Sequence, residues 1–528
     1  MYICNYSIVL RRIHGLPYFL FLPIEESAFR RRSRSRSPSR KSPSRRRSRS
    51  PGRKASPSRK ISPSRKSVDI PDGTQIKMSQ RKTPARTEAE GARPATRSGV
   101  QNLDAKKGAV PKTTHYEFGG PVGAFFTMFS LPLVVLYLYF TCGKDKCQVT
   151  FDPSIISLNW RDYIDVTAFE IFIGWFVFQE FLAILPVGRV VKGQPLRTGE
   201  RLSYRLNGFI AIVISIALFV AMIYYNCGVT ALYDKFLPLA ACAMIFSLIM
   251  SVFLYVWALG APNHALAPGG NSGNVVYDFF IGHELNPRPF VKSFDLKCFC
   301  ELRPGLIGWA LLDIAFLVKA WTDFPENPPY PLICVVFFQV GYVTDALIFE
   351  EAILTTMDII YDGFGFMLVF GDLVWVPFTY SLQARYLVDH PPKDMPQYCL
   401  IPIILLAVGG YIIFRLSNSM KNNFRKNPNS EESGSYETIP TASGRRLLVS
   451  GWWGLVRKPN YLGDLMMSLS WSLFCGFDSI IPYFYPIYFL ILLIHREMRD
   501  DGHCREKYGK AWDNYCKRVP YRIIPYVY

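Results

Sequence analysis

Phe236–Leu259 reads FLPLAACAMIFSLIMSVFLYVWAL, a run with no charged residue and long enough to cross a bilayer as one helix. It has no polar face to turn toward water, so a soluble fold offers it few places to sit. Comparable runs recur about ten times from Pro121 onward. The clearest others are Pro121–Phe140, Val166–Leu185, Gly208–Tyr225, Leu306–Ala320, Pro331–Phe349, Phe364–Tyr380 and Tyr398–Phe414. Leu465–Phe477 and Ile480–Ile494 are shorter and close together, as in a tight helical hairpin. The pattern predicts an all-α polytopic membrane protein of about ten transmembrane helices.

The totals show that apolar and basic residues are segregated. Half of the 528 residues are apolar, yet the formal charge is +19. Ser27–Val68 holds thirteen Arg, four Lys and no acid, which leaves only +2 for the rest of the chain. Arg30–Lys66 has too few apolar residues to offset the entropy of ordering, so a disordered tail is expected. Its charge density suits DNA, chromatin or anionic lipid, and without interleaved aromatics the binding should be salt-sensitive and independent of sequence. Its serines stand beside Arg or Pro, as basophilic and proline-directed kinases require, and each phosphate adds close to two negative charges. The expected organisation is an unassigned stretch 1–29, the Arg/Ser-rich region 30–66, a polar linker 67–117 and a membrane domain 118–528. In Met1–Leu22 the charges of Arg11 and Arg12 interrupt the apolar runs, unlike a secretory signal peptide.

The twelve Cys form no pairs of zinc-ligand spacing, so no metal site is expected. Cys142 and Cys147, in a short polar loop, are the pair placed to face an oxidising lumen and bond. Cations give the orientation. Arg189, Lys192, Arg197, Arg201 and Arg205 follow the second run, and Arg288, Lys292, Lys297 and Arg303 follow the fourth. Arg415, Lys421, Arg425, Lys426, Arg445 and Arg446 follow the eighth. A cytoplasmic or nucleoplasmic N-terminus and a cytoplasmic C-terminal stretch satisfy all three.

Two polar groupings stand out. Tyr342, Asp345, Glu350, Glu351, Asp358, Asp372 and Tyr380 lie in or beside apolar runs, where an ionised side chain costs roughly 2.5–3.5 kcal/mol to insert. Each acid is either a structural partner for a cation or a proton-transfer group. The second grouping is Arg446–Tyr461, RLLVSGWWGLVRKPNY, with the region from His495, HREMRDDGHCREKYGKAW. An interfacial aromatic belt with snorkelling cations explains part of it. Paired Arg with Asn, Asp and Trp also suits a phosphate-rich cofactor with a flat ring.

At these residues the chain resembles the delta-14 and delta-7 sterol reductases. The likeness covers Phe118–Tyr528 and is carried by GFGFMLVFGDLVWVPFTYSLQARYL, LLVSGWWGLVRKPNYLGDL and LLIHREMRDDGHCREKYGKAWDNYC, with YDFFIGHELNPR and FDLKCFCELRPGLIGW in support. It implies an oxidoreductase of sterol biosynthesis that uses NADPH: an alkene is protonated, then hydride reaches the carbocation. Matched motif by motif, the cofactor positions are Lys421, Arg425, Leu448, Trp453, Asn460, Tyr461, Arg496, Asp500, Cys504, Arg505, Glu506, Lys507, Tyr508 and Tyr515. Lys421, Arg425 and Arg496 suit phosphates, Trp453 stacking, and Asn460 and Asp500 hydrogen bonds to ribose or amide. Tyr342, with Asp345 and Glu350 following on its helix, and Tyr380 are the expected proton-donating side.

The Arg-Ser tail on such a domain resembles the lamin B receptors, a branch of that family. This implies lamin and chromatin as partners, beside sterol and membrane lipid, and residence in the inner nuclear and endoplasmic reticulum membranes. Lys458 stands where the family usually has His, and the residues before the tail do not resemble the Tudor domain of vertebrate-type members. A catalytically silent tether is the alternative. An isoprenylcysteine methyltransferase-like enzyme fits less well, because that family lacks the GDLVWVPFTYS segment.

Overall fold

The computed structural model describes residues 110–528 apart from 327–328 and 393–394. The Arg/Ser-rich region and most of the linker lie outside the described residues. The end of the linker is docked: the Thr113 amide donates to Asn271 O and the Glu117 amide to the Tyr277 hydroxyl.

The described chain is a helical bundle. Its main helices are α1 (Gly120–Thr141), α2 (Val166–Ile184), α3 (Gly208–Tyr224) and α4 (Phe236–Ala258). Then come α5 (Leu296–Leu302), α6 (Pro304–Asp323) and α7 (Tyr330–Ile348). Each of the ten apolar runs is helical over most of its length. Seven helical stretches are long and apolar enough to span a membrane by length and composition, and α3 is a shorter apolar helix. Outer faces carry bare apolar side chains such as Phe126, Leu133 and Ile401, as lipid contact requires.

Phe364–Tyr380 is not one regular helix. It divides into α8 (Phe366–Phe370), a π-helical turn (Gly371–Trp375) and α9 (Val376–Thr379), before α10 (Leu382–Asp389). Pro377 removes a backbone donor there, and the wide turn absorbs the misfit. Several polar side chains find partners inside the bundle: Gln339 donates to Gln383 Oε1, Gln179 to Ser215, and Arg385 to Cys142 O.

The last third forms the platform for the site. It comprises α11 (Leu400–Lys426), α12 (Pro459–Leu473), α13 (Phe484–Tyr508) and α14 (Lys510–Arg518). Helix α11 continues well past the apolar run that ends at Phe414, and Arg425 and Lys426 in its last turn complement the dipole. Pro459 opens α12 at its first turn, and Gly509, with φ 50°, ends α13. The backbones of α11 and α12 cross where a Cβ on Gly463 would stand 2.5 Å from Gly410 O.

Charged segments read as loops contain more structure than expected. Arg189–Pro195 (β1) pairs antiparallel with Arg201–Leu206 (β2), and β3 (Thr438–Pro440) pairs with β4 (Arg446–Leu448). In the loop region after the fourth run, Lys297 and Arg303 are buried and not at a surface. Lys297 donates to three backbone carbonyls, and Arg303 to Glu350. Cys142 and Cys147 are disulfide-bonded, as their spacing suggested.

Candidate functional site

Five aromatic rings from separate elements pack into one wall inside the bundle. Tyr342 on α7 lies 5.5 Å from the Trp471 ring of α12 and 6.2 Å from Trp309 of α6. Tyr380, just after α9, meets Trp309 edge-on at 5.3 Å and Tyr485 of α13 at 4.7 Å. The polar tips in this wall are unmatched. Trp309 Nε1, Trp471 Nε1, Asn460 Oδ1 and Asp464 Oδ1 are buried without a hydrogen-bond partner. An unmet buried group costs about 1–3 kcal/mol.

Asp464 is the acid that faces the Tyr342 hydroxyl. It stands one helical turn after Asn460 and Tyr461, so all three share a face of α12. The acids expected beside Tyr342 are engaged elsewhere. Asp345 accepts from Tyr411 at 2.9 Å and pairs with Arg415 at 3.4 Å. Glu350 pairs with Arg303 at 2.6 Å and accepts the Gly208 amide that opens α3.

Below the aromatic wall, Arg496, Asp500 and Cys504 form an i, i+4, i+8 stripe on α13. Arg496 donates to Asp358 at 2.6 Å, and that carboxylate holds its guanidinium above the ordinary value. Its side chain keeps 35% of its surface accessible. Asp500 receives the buried Lys458 ammonium. Cys504 has its thiol pushed up by burial and stays neutral.

Lys421 on α11 lies over the Trp453 ring, 4.0 Å from its centroid. Trp453 donates to Ser417 O and packs with Phe424 and Leu448. Trp453 and Leu448 therefore support Lys421, and the cation occupies one face of the indole expected to stack. Arg425 follows one turn after Lys421. The structure does not bring Arg505, Glu506 and Lys507 to this place: all three are exposed, and Arg505 pairs with Asp501 and Asp513. Tyr508 and Tyr515 pack with Trp512 in a C-terminal cluster that also takes in Cys504, and Tyr508 lies near Arg425.

The donor set fits a phosphate-bearing dinucleotide, with Lys421, Arg425, Lys458 and Arg496 as cations and Asn460 and Asp500 as acceptors. Among the described residues no group of side chains could hold a metal. A cavity of about 250 Å³ under the β1–β2 hairpin, lined by Tyr204, His264 and Asn286 among others, shares no lining residue with this site.

The ergosterol biosynthesis ERG4/ERG24 family pattern matches residues 112–528. The delta(14)-sterol reductase LBR of Gallus gallus is 51% identical over 416 residues, 78% of this chain and 64% of that protein. The chain thus spans just under two thirds of that relative. The delta(14)-sterol reductase TM7SF2 of Mus musculus is also 51% identical, over 78% of this chain and 97% of that protein. A bacterial delta(14)-sterol reductase from Methylotuvimicrobium alcaliphilum is 39% identical over 81% of this chain and its own full length. With a matching pattern across the whole helical bundle, this polytopic membrane chain belongs to the ERG4/ERG24 family of ergosterol biosynthesis.

Proposed function

We propose that the chain is a delta-14 sterol reductase that uses NADPH. One observation carries this reading: Tyr342 meets Asp464, and Asp464 and Tyr461 both lie near Arg496, in a chain 51% identical to two delta(14)-sterol reductases. NADPH, when bound, supplies the hydride. Lys421, Arg425 and Arg496 would hold its phosphates, while Asn460 and Asp500 would accept hydrogen bonds from its ribose or amide. The Tyr342 hydroxyl gives its proton to the sterol alkene, and Asp464 orients that hydroxyl. The rings of Trp309, Trp471 and Tyr380 exclude water and stabilise positive charge that develops on the sterol.

The basic tail supports a second role: tethering the inner nuclear membrane to chromatin and the lamina, with the N-terminus nucleoplasmic and the chain also in the endoplasmic reticulum membrane. The support is its charge density together with the likeness to LBR. Expression in a cell lacking delta-14 sterol reductase tests the enzyme reading. Restored growth and loss of the delta-14 sterol support it. Continued accumulation, with the protein present at normal level, leaves the tether alone.

A further inference from the structure

The β1–β2 hairpin carries charge that the proposed mechanism does not use. It holds five cations, Arg189, Lys192, Arg197, Arg201 and Arg205, against one acid, Glu200 in its turn. Arg189 pairs with Glu351 at 2.6 Å, whereas Lys192, Arg197, Arg201 and Arg205 have no ion pair among the described residues. Strand alternation sorts the side chains onto two faces. Tyr204 is buried, and a Cβ on Gly193 would stand 2.7 Å from its ring, so one face packs inward. The other face carries Lys192 opposite Ser203, Arg205 opposite Val190, and Arg201. Lys192 donates to Ser203 Oγ at 2.7 Å, and Val190 is exposed. Like charges ranged along one face repel, which costs stability unless anions stand opposite them.

The hairpin is also held at the level where a bilayer's headgroups lie. Strand β1 begins at Arg189, just after α2 ends at Ile184, and β2 ends at Leu206, just before α3 opens at Gly208. Both strands therefore continue apolar helices with almost no linker. Arg288 ties the hairpin to the loop beyond α4: its guanidinium lies over the Tyr204 ring, 5.0 Å from the centroid, and donates to Ser203 O. In the same loop the exposed Phe290 ring stacks on Phe253 of α4 at 6.1 Å. Exposed Trp257 follows one turn after Phe253, at the end of α4. Exposed aromatic rings at the end of an apolar helix mark the membrane–water boundary. The cationic face is fastened beside that belt.

We propose that this face of the hairpin binds the phosphate headgroups of anionic phospholipids in the leaflet at that end of the bundle. The proposal does not depend on the reductase reading. Arg201 and Arg205 offer guanidinium forks to phosphate oxygens, and Lys192 adds a point charge. A layer of lipid fits better than one free anion. Residues two apart on a strand stand roughly 6.6 Å from each other, so the cations form a line and not a pocket. A sheet of headgroups can meet the whole line, and exposed Val190 at the base of the hairpin meets the apolar side of that sheet. Arg197, exposed in the turn, extends the line outward.

The test uses the full chain in phosphatidylcholine vesicles that contain a minor fraction of phosphatidylserine. A phosphatidylserine probe with a photoreactive headgroup labels the protein, and mass spectrometry of its peptides locates the label. A phosphatidylcholine probe with the same acyl chains and reactive group is the comparison. At low salt the serine probe is expected to label residues 189–206 roughly tenfold more than the choline probe, with the excess lost at high salt. The combined variant Lys192→Gln, Arg201→Gln and Arg205→Gln is expected to lose the excess on the hairpin, at an unchanged melting temperature. The variant Arg201→Lys with Arg205→Lys keeps the charge and is expected to keep most of the excess, and it decides the matter if the first variant fails to fold. Equal labelling by the two probes overturns the proposal, as does an excess that survives in the glutamine variant or is lost in the lysine one. Displacement of the label by inorganic phosphate at matched ionic strength would mean a site for a free anion and would also overturn it.

Discussion

The guanidinium of Arg496 sits 2.6 Å from the Asp358 carboxylate and also meets the Tyr461 hydroxyl. One arginine thus joins Asp358 to the surface assigned to cofactor phosphates. Its carboxylate partner fixes where the guanidinium points before any ligand arrives, so less side-chain entropy is lost on binding.

Arg496→Gln therefore weakens NADPH binding. A charge-assisted hydrogen bond is worth about 1.5–3 kcal/mol, so the dissociation constant should rise roughly ten- to a hundredfold. Titration of NADPH into the purified chain measures it, and an unchanged constant removes Arg496 from the phosphate site.

Tyr342→Phe should lower kcat by about 10²- to 10⁴-fold with little change in either KM, because only the proton donor is lost. Asp345→Asn is expected to act through stability, since Asp345 serves Tyr411 and Arg415. Steady-state kinetics on both variants separate the two. An Asp345→Asn chain as inactive as Tyr342→Phe but equally stable would return Asp345 to the chemistry.

Gly463→Leu should prevent the folded chain from accumulating, and Gly463→Ala should lower its melting temperature. Even the alanine Cβ would stand 2.5 Å from Gly410 O and 2.6 Å from Phe414 N, both rigid backbone atoms. Detergent-solubilised yield and thermal melting check this. A normal melting temperature for Gly463→Ala would mean that α11 and α12 cross differently.

Asp362 gives a pH dependence with a defined sign. Burial raises it from 3.8 to about 6 in the fold, against the pull of Arg499. Between those values the folded chain holds the extra proton, so this group's contribution to stability falls as pH rises from about 4 to about 6. Melting temperature followed across that window should show the fall in the wild type and a flatter course in Asp362→Asn. A steeper course in the variant would contradict the assignment.

The tail should bind duplex DNA with an affinity that drops steeply with salt and with serine phosphorylation. A chain beginning at Lys112 lacks the +17 segment and should not bind measurably at physiological salt. Equal binding by both would place the DNA contact in the membrane domain.

The helices were legible because a membrane span has to be apolar nearly all round, and that leaves a continuous run of residues. Their ends were less so. The run of α11 stops at Phe414, where apolarity stops, yet the helix goes on to Lys426 because emerging from lipid does not break backbone hydrogen bonds. The π turn around Asp372 and the β1–β2 hairpin left no apolar signal to read. In the site, Arg496, Asp500 and Cys504 were legible through the resemblance of one motif to the family. Asp464 was overlooked as a partner for Tyr342 because more than a hundred residues separate them, and only the α7–α12 packing brings them together. Asp345 and Glu350 looked favourable on sequence distance, but each has a nearer cation, Arg415 or Arg303, on another element.

The central claim is tested most directly by purifying the chain, returning it to lipid vesicles and supplying a delta-14 sterol with NADPH. The account predicts the saturated C14–C15 product with one NADPH consumed per sterol, at a rate about 10²- to 10⁴-fold lower from Tyr342→Phe. A folded, NADPH-binding wild-type chain that leaves the sterol unchanged would contradict it.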